Sequence, residues 1–122
     1  MRIVTLDDLE QALTDLIKRS SELKTFDEVK AGQLLWTLRK CKSTLSGNFA
    51  WADEGLATLH ARLREDCLVQ EQALMRLQDT SEVEAREQVV TRAVVLRHDA
   101  FLLRDGLRLM KVADRAESDD TT

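Results

Sequence analysis

The C-terminal third of the chain carries an apolar repeat that predicts one long helix over residues 82–115. The apolar residues recur at alternating spacings of four and three, the pattern of a helix that packs lengthwise against another helix. They are Val89, Ala93, Leu96, Ala100, Leu103, Leu107 and Met110. At 1.5 Å per residue this helix is about 50 Å long, and only a partner of similar length can cover it. The repeat therefore predicts an elongated helical hairpin or bundle.

The composition extends the helical prediction to the whole chain. The 122 residues include no proline, no tyrosine and only four glycines, and leucine and alanine dominate the apolar set. Proline and glycine disfavour helices, whereas Leu, Ala, Glu, Gln, Arg and Met favour them. The sequence has no run of alternating β-branched residues and no Asn-Gly or Asp-Gly hairpin signal. We expect an all-α fold.

Helix start signals divide the chain into four helices, at about residues 6–22, 26–46, 49–78 and 82–115. Thr5 can cap the first helix, and Thr25 with Glu28 and Ser81 with Glu84 form capping boxes. Short turns make sequential helices antiparallel. We predict a four-helix antiparallel bundle, dominated by a long, coiled-coil-like C-terminal hairpin, in a single domain over residues 1–116. We predict that residues 117–122 form an acidic, disordered tail.

Each of the first three helices has an apolar face of its own. The first face consists of Leu6, Leu9, Leu13, Leu16 and Ile17. The second consists of Val29, Leu34, Leu35, Leu38, Cys41 and Leu45. The third consists of Phe49, Ala52, Leu56, Leu59, Leu63, Cys67, Leu74 and Leu77, with Gln70 as an interruption.

The predicted helices have unequal lengths, and this difference suggests a partner-binding surface. If the two shorter helices cover one half of the hairpin, residues 66–92 project beyond the bundle. Exposed apolar side chains on a projecting hairpin favour self-association or a bound protein. The candidate partner contacts are Leu74, Met75, Val83 and Val90, together with Trp36 and Trp51 if these are exposed. A more compact bundle, with the third helix kinked at Gly55, is an equally open alternative.

Residues that could carry chemistry do not converge in this sequence. Cys41 and Cys67 lie on apolar helical faces and read as buried hydrophobes. His60 and His98 lack the Glu-x-x-His spacing of helical metal sites. The sequence has no glycine-rich phosphate loop, nucleophile elbow or dinucleotide fingerprint. We expect no catalytic site, no cofactor and no metal.

One basic cluster suggests a different function. Arg39, Lys40 and Lys42 lie near the end of the second helix, where they could contact phosphate or another anion. Cations near a helix C-terminus also stabilise the helix dipole, and the chain has a net charge of -4. A nucleic-acid-associated regulator therefore remains an alternative, although the net negative charge argues against nucleic acid as a partner.

A second alternative comes from the run Leu-Glu-Gln-Ala-Leu-Thr-Asp-Leu-Ile-Lys-Arg in the first helix, over residues 9–19. This run resembles the first helix of the helical chorismate mutases. The resemblance implies a small all-helical enzyme. The family's remaining cationic pocket residues have no identified match here, so no catalytic role is carried over.

The expected function is a non-catalytic protein-binding module, such as an adaptor, chaperone, inhibitor or assembly subunit. Its partner would be another protein or a second copy of the chain, in a homo-oligomer or a hetero-complex. No apolar stretch approaches the ~20 residues that cross a bilayer, and the N-terminus lacks the features of a signal peptide. We therefore expect a cytoplasmic protein that does not contact membranes.

Overall fold

The chain folds into four helices in the computed structural model, which describes the backbone of residues 4–79 and 82–120 and the side chains of residues 4–79 and 82–113. The helices are α1 (Leu6–Glu22), α2 (Glu28–Leu45), α3 (Glu54–Arg76) and α4 (Val83–Asp120). The described residues include no strand. The prediction of an all-α, four-helix bundle is confirmed. No helix within the described ranges has the length and apolarity that a membrane crossing requires.

Each helix packs against two neighbours, in the cyclic order α1, α2, α3, α4 and back to α1. Pairs of side-chain contacts in opposite residue order show that neighbouring helices are antiparallel. Between α1 and α2, Ala12 contacts Cys41 and Arg19 contacts Gln33; between α1 and α4, Asp7 contacts Lys111 and Thr14 contacts Arg104. The diagonal pairs, α1 with α3 and α2 with α4, make no close backbone approach over the described residues. Each helix therefore has one inner side and one side that no other helix covers.

The predicted repeat of the C-terminal helix forms the spine of the core. Its first six members are fully buried, and the seventh, Met110, is half-buried. Leu9, Leu13 and Leu16 of α1 are also fully buried. The predicted face of α2 is correct except at its first position, because Val29 lies at the surface with 71% of its area exposed.

The helix caps agree only in part with the start signals. Thr5 caps α1 as predicted, and its hydroxyl accepts a hydrogen bond from the Asp8 amide at 3.1 Å. The predicted Thr25 cap of α2 is wrong: the cap is Asp27, whose carboxylate accepts from the amides of Val29 and Lys30. An aspartate at this position satisfies two free amides at once, which outweighs the single bond of a threonine cap. The predicted Ser81 cap of α4 lies outside the described residues.

The start of α3 differs from the prediction by five residues. Asp53 caps the helix, with its carboxylate 2.6 Å from the Gly55 amide. Phe49 and Trp51 precede the helix and pack their rings on His60 instead. The segment between α2 and α3 is therefore a folded cover over one end of the bundle, and α3 has 23 residues rather than about 30.

The predicted projection of residues 66–92 beyond the bundle is wrong. The loop between α1 and α2 reaches the start of α4, where the Arg86 guanidinium lies 5.0 Å from the Phe26 ring centre. Leu74 and Val89, which lie inside the supposed projection, are buried. The compact alternative is correct, but its cause is the late start of α3, since Gly55 lies in the first turn rather than at a kink.

The region that does extend past the other helices is the C-terminal part of α4. The start of α1 lies beside Lys111, which pairs with Asp7 and Glu10. The helix continues beyond this level to Asp120. Residues 117–120 of the segment predicted as a disordered tail are therefore helical, and residues 121 and 122 lie outside the described part of the chain.

Candidate protein-binding surface

Large apolar side chains that remain exposed are concentrated on α4. Eleven such side chains are exposed among the described residues, and four of them lie elsewhere, at Val29, Trp36, Val69 and Met75. The other seven share the side of α4 that faces away from the bundle, and we call them the outer face: Val83, Val94, Val95, Phe101, Leu102, Leu109 and Val112. Their exposed fractions range from 43% to 72%. A surface helix normally places charged and polar residues on this side.

The apolar residues predicted to contact a partner have different surroundings. Leu74 is 4% exposed and belongs to the core, which leaves it unavailable to a partner. Met75 and Val83 are exposed, on α3 and α4 respectively. Val90 is half-buried and packs against the core. Only Val83 and Val90 lie on α4, so the predicted set does not form one surface.

The two tryptophans also have separate environments. Trp36 is exposed on α2, and the Lys40 ammonium lies 5.2 Å from its ring centre. Trp51 is half-buried, and its indole N–H donates to His60 Nδ1 at 3.1 Å. Trp36 is available as an anchor for a partner, whereas Trp51 closes the end of the bundle.

The basic cluster of α2 does not form a convergent anion site. Lys42 pairs with Glu71 of α3 at 3.7 Å, while Lys40 lies over Trp36 on another side of the helix. Arg39 is exposed between these two directions. Residues at successive positions of a helix point about 100° apart, so the three cations do not face one phosphate.

A groove of about 400 Å³ opens between α2 and α3 near the loop that joins α1 and α2. Its walls include Leu35, Leu74, Phe26 and Arg86. Gly32 forms a notch in one wall, because a Cβ atom added there would meet nothing within 4 Å. The lining of the groove is part apolar and part polar, with Glu28, Gln78 and Arg86 among its described residues.

The thiols of both cysteines are buried and free. Burial raises the pKa of Cys41 to about 11 and also raises the pKa of Cys67. A thiol nucleophile needs the opposite shift, toward the thiolate. The prediction that both residues act as small buried hydrophobes agrees with this setting.

The two histidines differ in role. His60 is buried, accepts from Trp51 through Nδ1 and donates through Nε2 to the Leu45 carbonyl at 2.8 Å. His98 is exposed on α4. The described residues include no group of three or more His, Cys, Asp or Glu side chains that could hold a metal ion.

One buried carboxylate anchors α4 to α3. Asp99 is almost fully buried and accepts from two nitrogens of Arg62, at 3.1 and 3.3 Å. Burial and the charge of Asp99 raise the pKa of nearby Asp66. The bidentate pair fixes the register between the two helices, and Arg62 neutralises the buried charge.

A second set of charges holds α4 to α1. Lys111 donates to Glu10 at 3.0 Å and also to Asp7, and Arg108 donates to Glu10 at 3.3 Å. The hydrogen bond from Lys111 lowers the pKa of Glu10, and the bonds to Asp7 and Glu10 raise the pKa of Lys111. The C-terminal half of α4 is therefore held on both sides, which leaves only its outer face uncovered.

Comparisons with known proteins give no relative for this chain. No family model, no curated protein and no solved structure matches it.

Sequence reasoning identified one residue of the outer face, Val83, and missed the other six. The available signal was a second set of apolar residues on α4, out of phase with the core repeat. Val94, Phe101 and Leu102 belong to this second set. A helix that is apolar on two sides requires two surfaces to cover it.

Proposed function

We propose that this chain is a non-catalytic protein-binding module that acts through the outer face of α4, the second arm of the C-terminal hairpin. The observation that carries the proposal is the concentration of seven exposed large apolar side chains on this one helix face. Exposed apolar side chains grouped on one helix side, here with Glu87, His98 and Asp105 between them, are typical of binding sites for other proteins. An adaptor, a chaperone, an inhibitor and an assembly subunit are all compatible with this proposal.

The proposal is also supported by the rigidity of the surface. The side of α4 opposite the outer face is held in a fully buried core, and Asp99 and Lys111 fix the helix to α3 and α1. A helix held in this way presents its exposed side chains in a fixed arrangement, so little conformational entropy is lost on binding.

Site-specific photocrosslinking in the cells that produce the protein tests this function. A benzophenone amino acid at Leu102 places the reactive group in the centre of the outer face. The control carries the same group at Val29, which is also apolar and is more exposed (71%, against 43% for Leu102) but lies on α2, diagonally across the bundle. We expect protein adducts from position 102 and far fewer from position 29. Equal labelling at the two positions, or no protein adduct from position 102, would contradict the proposal.

A further inference from the structure

The exposed side of α4 carries a seam whose positions repeat at spacings of four and three between Val83 and Val112. We call it the outer seam: Val83, Glu87, Val90, Val94, Phe101, Asp105, Arg108 and Val112. All of these residues are exposed except the half-buried Val90. Such spacing is the pattern by which one helix packs along another in a coiled coil. The gap in its centre is occupied by Arg97 and His98, both exposed.

Two copies of the outer seam in antiparallel orientation bring mirrored positions of the sequence opposite each other. About the midpoint between Arg97 and His98, Val83 mirrors Val112 and Val94 mirrors Phe101. In a twofold interface, residue i of one copy contacts residue j of the other, and residue j contacts residue i. Reversal about this midpoint therefore places apolar side chains opposite apolar side chains at four of the eight positions, and it places Val90 opposite Asp105.

The charges on the outer seam favour the same arrangement. Glu87 and Arg108 are also equidistant from the midpoint, so an antiparallel pair of helices places each glutamate opposite an arginine. A parallel pair would instead place Glu87 opposite Glu87 and Arg108 opposite Arg108. Like charges in such positions are destabilising. Arg108 uses its Nε–H for Glu10, and the remaining N–H groups of its guanidinium are geometrically suited to a second carboxylate.

We propose that the outer seam binds the outer seam of a second copy of this chain, antiparallel, about a twofold axis between Arg97 and His98. This inference rests on the proposed function, since the outer seam shares Val83, Val94, Phe101 and Val112 with the outer face. The seam spans 30 residues, or about 45 Å of helix. Interfaces of standard size take about 800 Å² from each partner, about a tenth of the 7922 Å² surface of this chain. A single helix pair is at the lower limit of that range, so the dimer dissociates on dilution.

Charge exchange tests the pairing. Sedimentation velocity over a range of concentrations compares the wild-type chain with Glu87→Arg, Arg108→Glu and the double variant that carries both changes. Each single variant replaces two attractive contacts per dimer by repulsive ones, and we expect about a tenfold weaker association. The double variant restores both contacts with reversed polarity and should associate within a few-fold of wild type.

Two controls make this comparison specific. Arg108→Glu also loses the bond to Glu10, so circular dichroism must show that every variant retains its helical content. If Arg108→Glu does not fold, the comparison of Glu87→Arg with wild type is the test. Val29→Glu places a charge on an exposed apolar residue of α2, diagonally across the bundle from α4, and should leave association unchanged.

Disulfide trapping tests the direction of the helices. A mixture of Val83→Cys and Val112→Cys chains should form mixed disulfide dimers on oxidation, whereas Val83→Cys alone should form few. The native thiols of Cys41 and Cys67 are buried and do not compete. Efficient dimerisation of Val83→Cys alone would indicate parallel helices and overturn the proposal.

The failure of this inference is distinguishable from the failure of the proposed function. A wild-type chain that stays monomeric at all concentrations, or a double variant as weak as the single variants, overturns the second-copy inference. Photocrosslinks from position 102 to a different protein would still support the binding function.

Discussion

Both sides of α4 carry large apolar side chains, but the repeat on the inner side is wholly apolar and buried, whereas the outer side is exposed and also carries Glu87, His98 and Asp105. The inner side, from Val89 to Leu107, is fully buried against the rest of the bundle. The outer face exposes Phe101 at 46% and Leu109 at 72%. A helix that is apolar on one side fits the surface of a bundle, whereas a helix that is apolar on both sides requires cover on both. The comparison indicates that α1 and α3 cover only part of the apolar surface that α4 carries.

Adjacent leucines give the strongest test of this contrast. Leu103 is fully buried and Leu102 is 43% exposed. We expect Leu103→Ala to lower the free energy of unfolding by about 2–5 kcal/mol, because it leaves a cavity in the core. Leu102→Ala should change it by less than about 0.5 kcal/mol. Urea denaturation, followed by circular dichroism at low protein concentration, measures both. Equal losses would show that the outer face is already covered within one chain.

Gln70 interrupts the core beside the inner side of α4. It is fully buried, and its amide nitrogen donates to the Val89 carbonyl at 2.9 Å, while its Oε1 atom has no hydrogen-bond partner among the described residues. An unsatisfied buried acceptor is destabilising, so Gln70→Leu should raise the free energy of unfolding by about 1 kcal/mol. The same change at exposed Gln72 is the control and should have little effect. A marked loss of stability in Gln70→Leu would show that this amide is required in the core.

Asp105 interrupts the outer seam in a corresponding way. It is exposed, and in the proposed antiparallel pair it lies opposite Val90 of the other copy. Asp105→Leu should tighten self-association several-fold, because it replaces a charge by apolar surface that the second copy buries. Glu65→Leu, on the exposed side of α3, removes the same charge and should not tighten it. Sedimentation at several concentrations distinguishes the two, and equal tightening would indicate a nonspecific effect of hydrophobicity.

The charges that hold α4 to α1 predict a smaller, pH-dependent effect. The pKa of Glu10 is lowered in the folded chain by Lys111. Its stabilising contribution is therefore present at neutral pH and lost as the pH falls through that lowered value. We expect the thermal midpoint of wild type to fall more between about pH 5 and pH 3 than that of Glu10→Gln. Solvent screening keeps the difference small. An identical acid response in the two proteins would mean that the pair does not contribute to stability.

The core repeat of α4 was predictable from sequence because a regular spacing identifies one side of a helix directly. Val89, Leu96 and Leu103 needed no knowledge of the other helices to be assigned to the core. The same reasoning failed at the start of α3. Phe49 fits a helical face in the sequence, but the contacts that Phe49 and Trp51 make with His60 are tertiary and hold the segment outside the helix.

The wrong start of α3 led to the wrong prediction that residues 66–92 project beyond the bundle. Residues counted as helix between Phe49 and Asp53 made the hairpin too long for its neighbours, and the excess became a projection. Most of the outer face was not predicted, for a different reason. Periodicity shows which residues share a side of a helix, but the exposure of Val94 or Leu109 depends on where α1 and α3 lie around it.

The placement of the two tryptophans gives the molecule two separate optical reporters. Emission from Trp51 depends on the cover that joins α2 to α3, where its indole is hydrogen-bonded to His60. Emission from Trp36 depends on solvent, since this ring is 63% exposed on α2. With Trp36→Phe, the remaining emission from Trp51 reports the loosening of one end of the bundle. With Trp51→Phe, the emission from Trp36 reports events at the surface of α2, without an added dye.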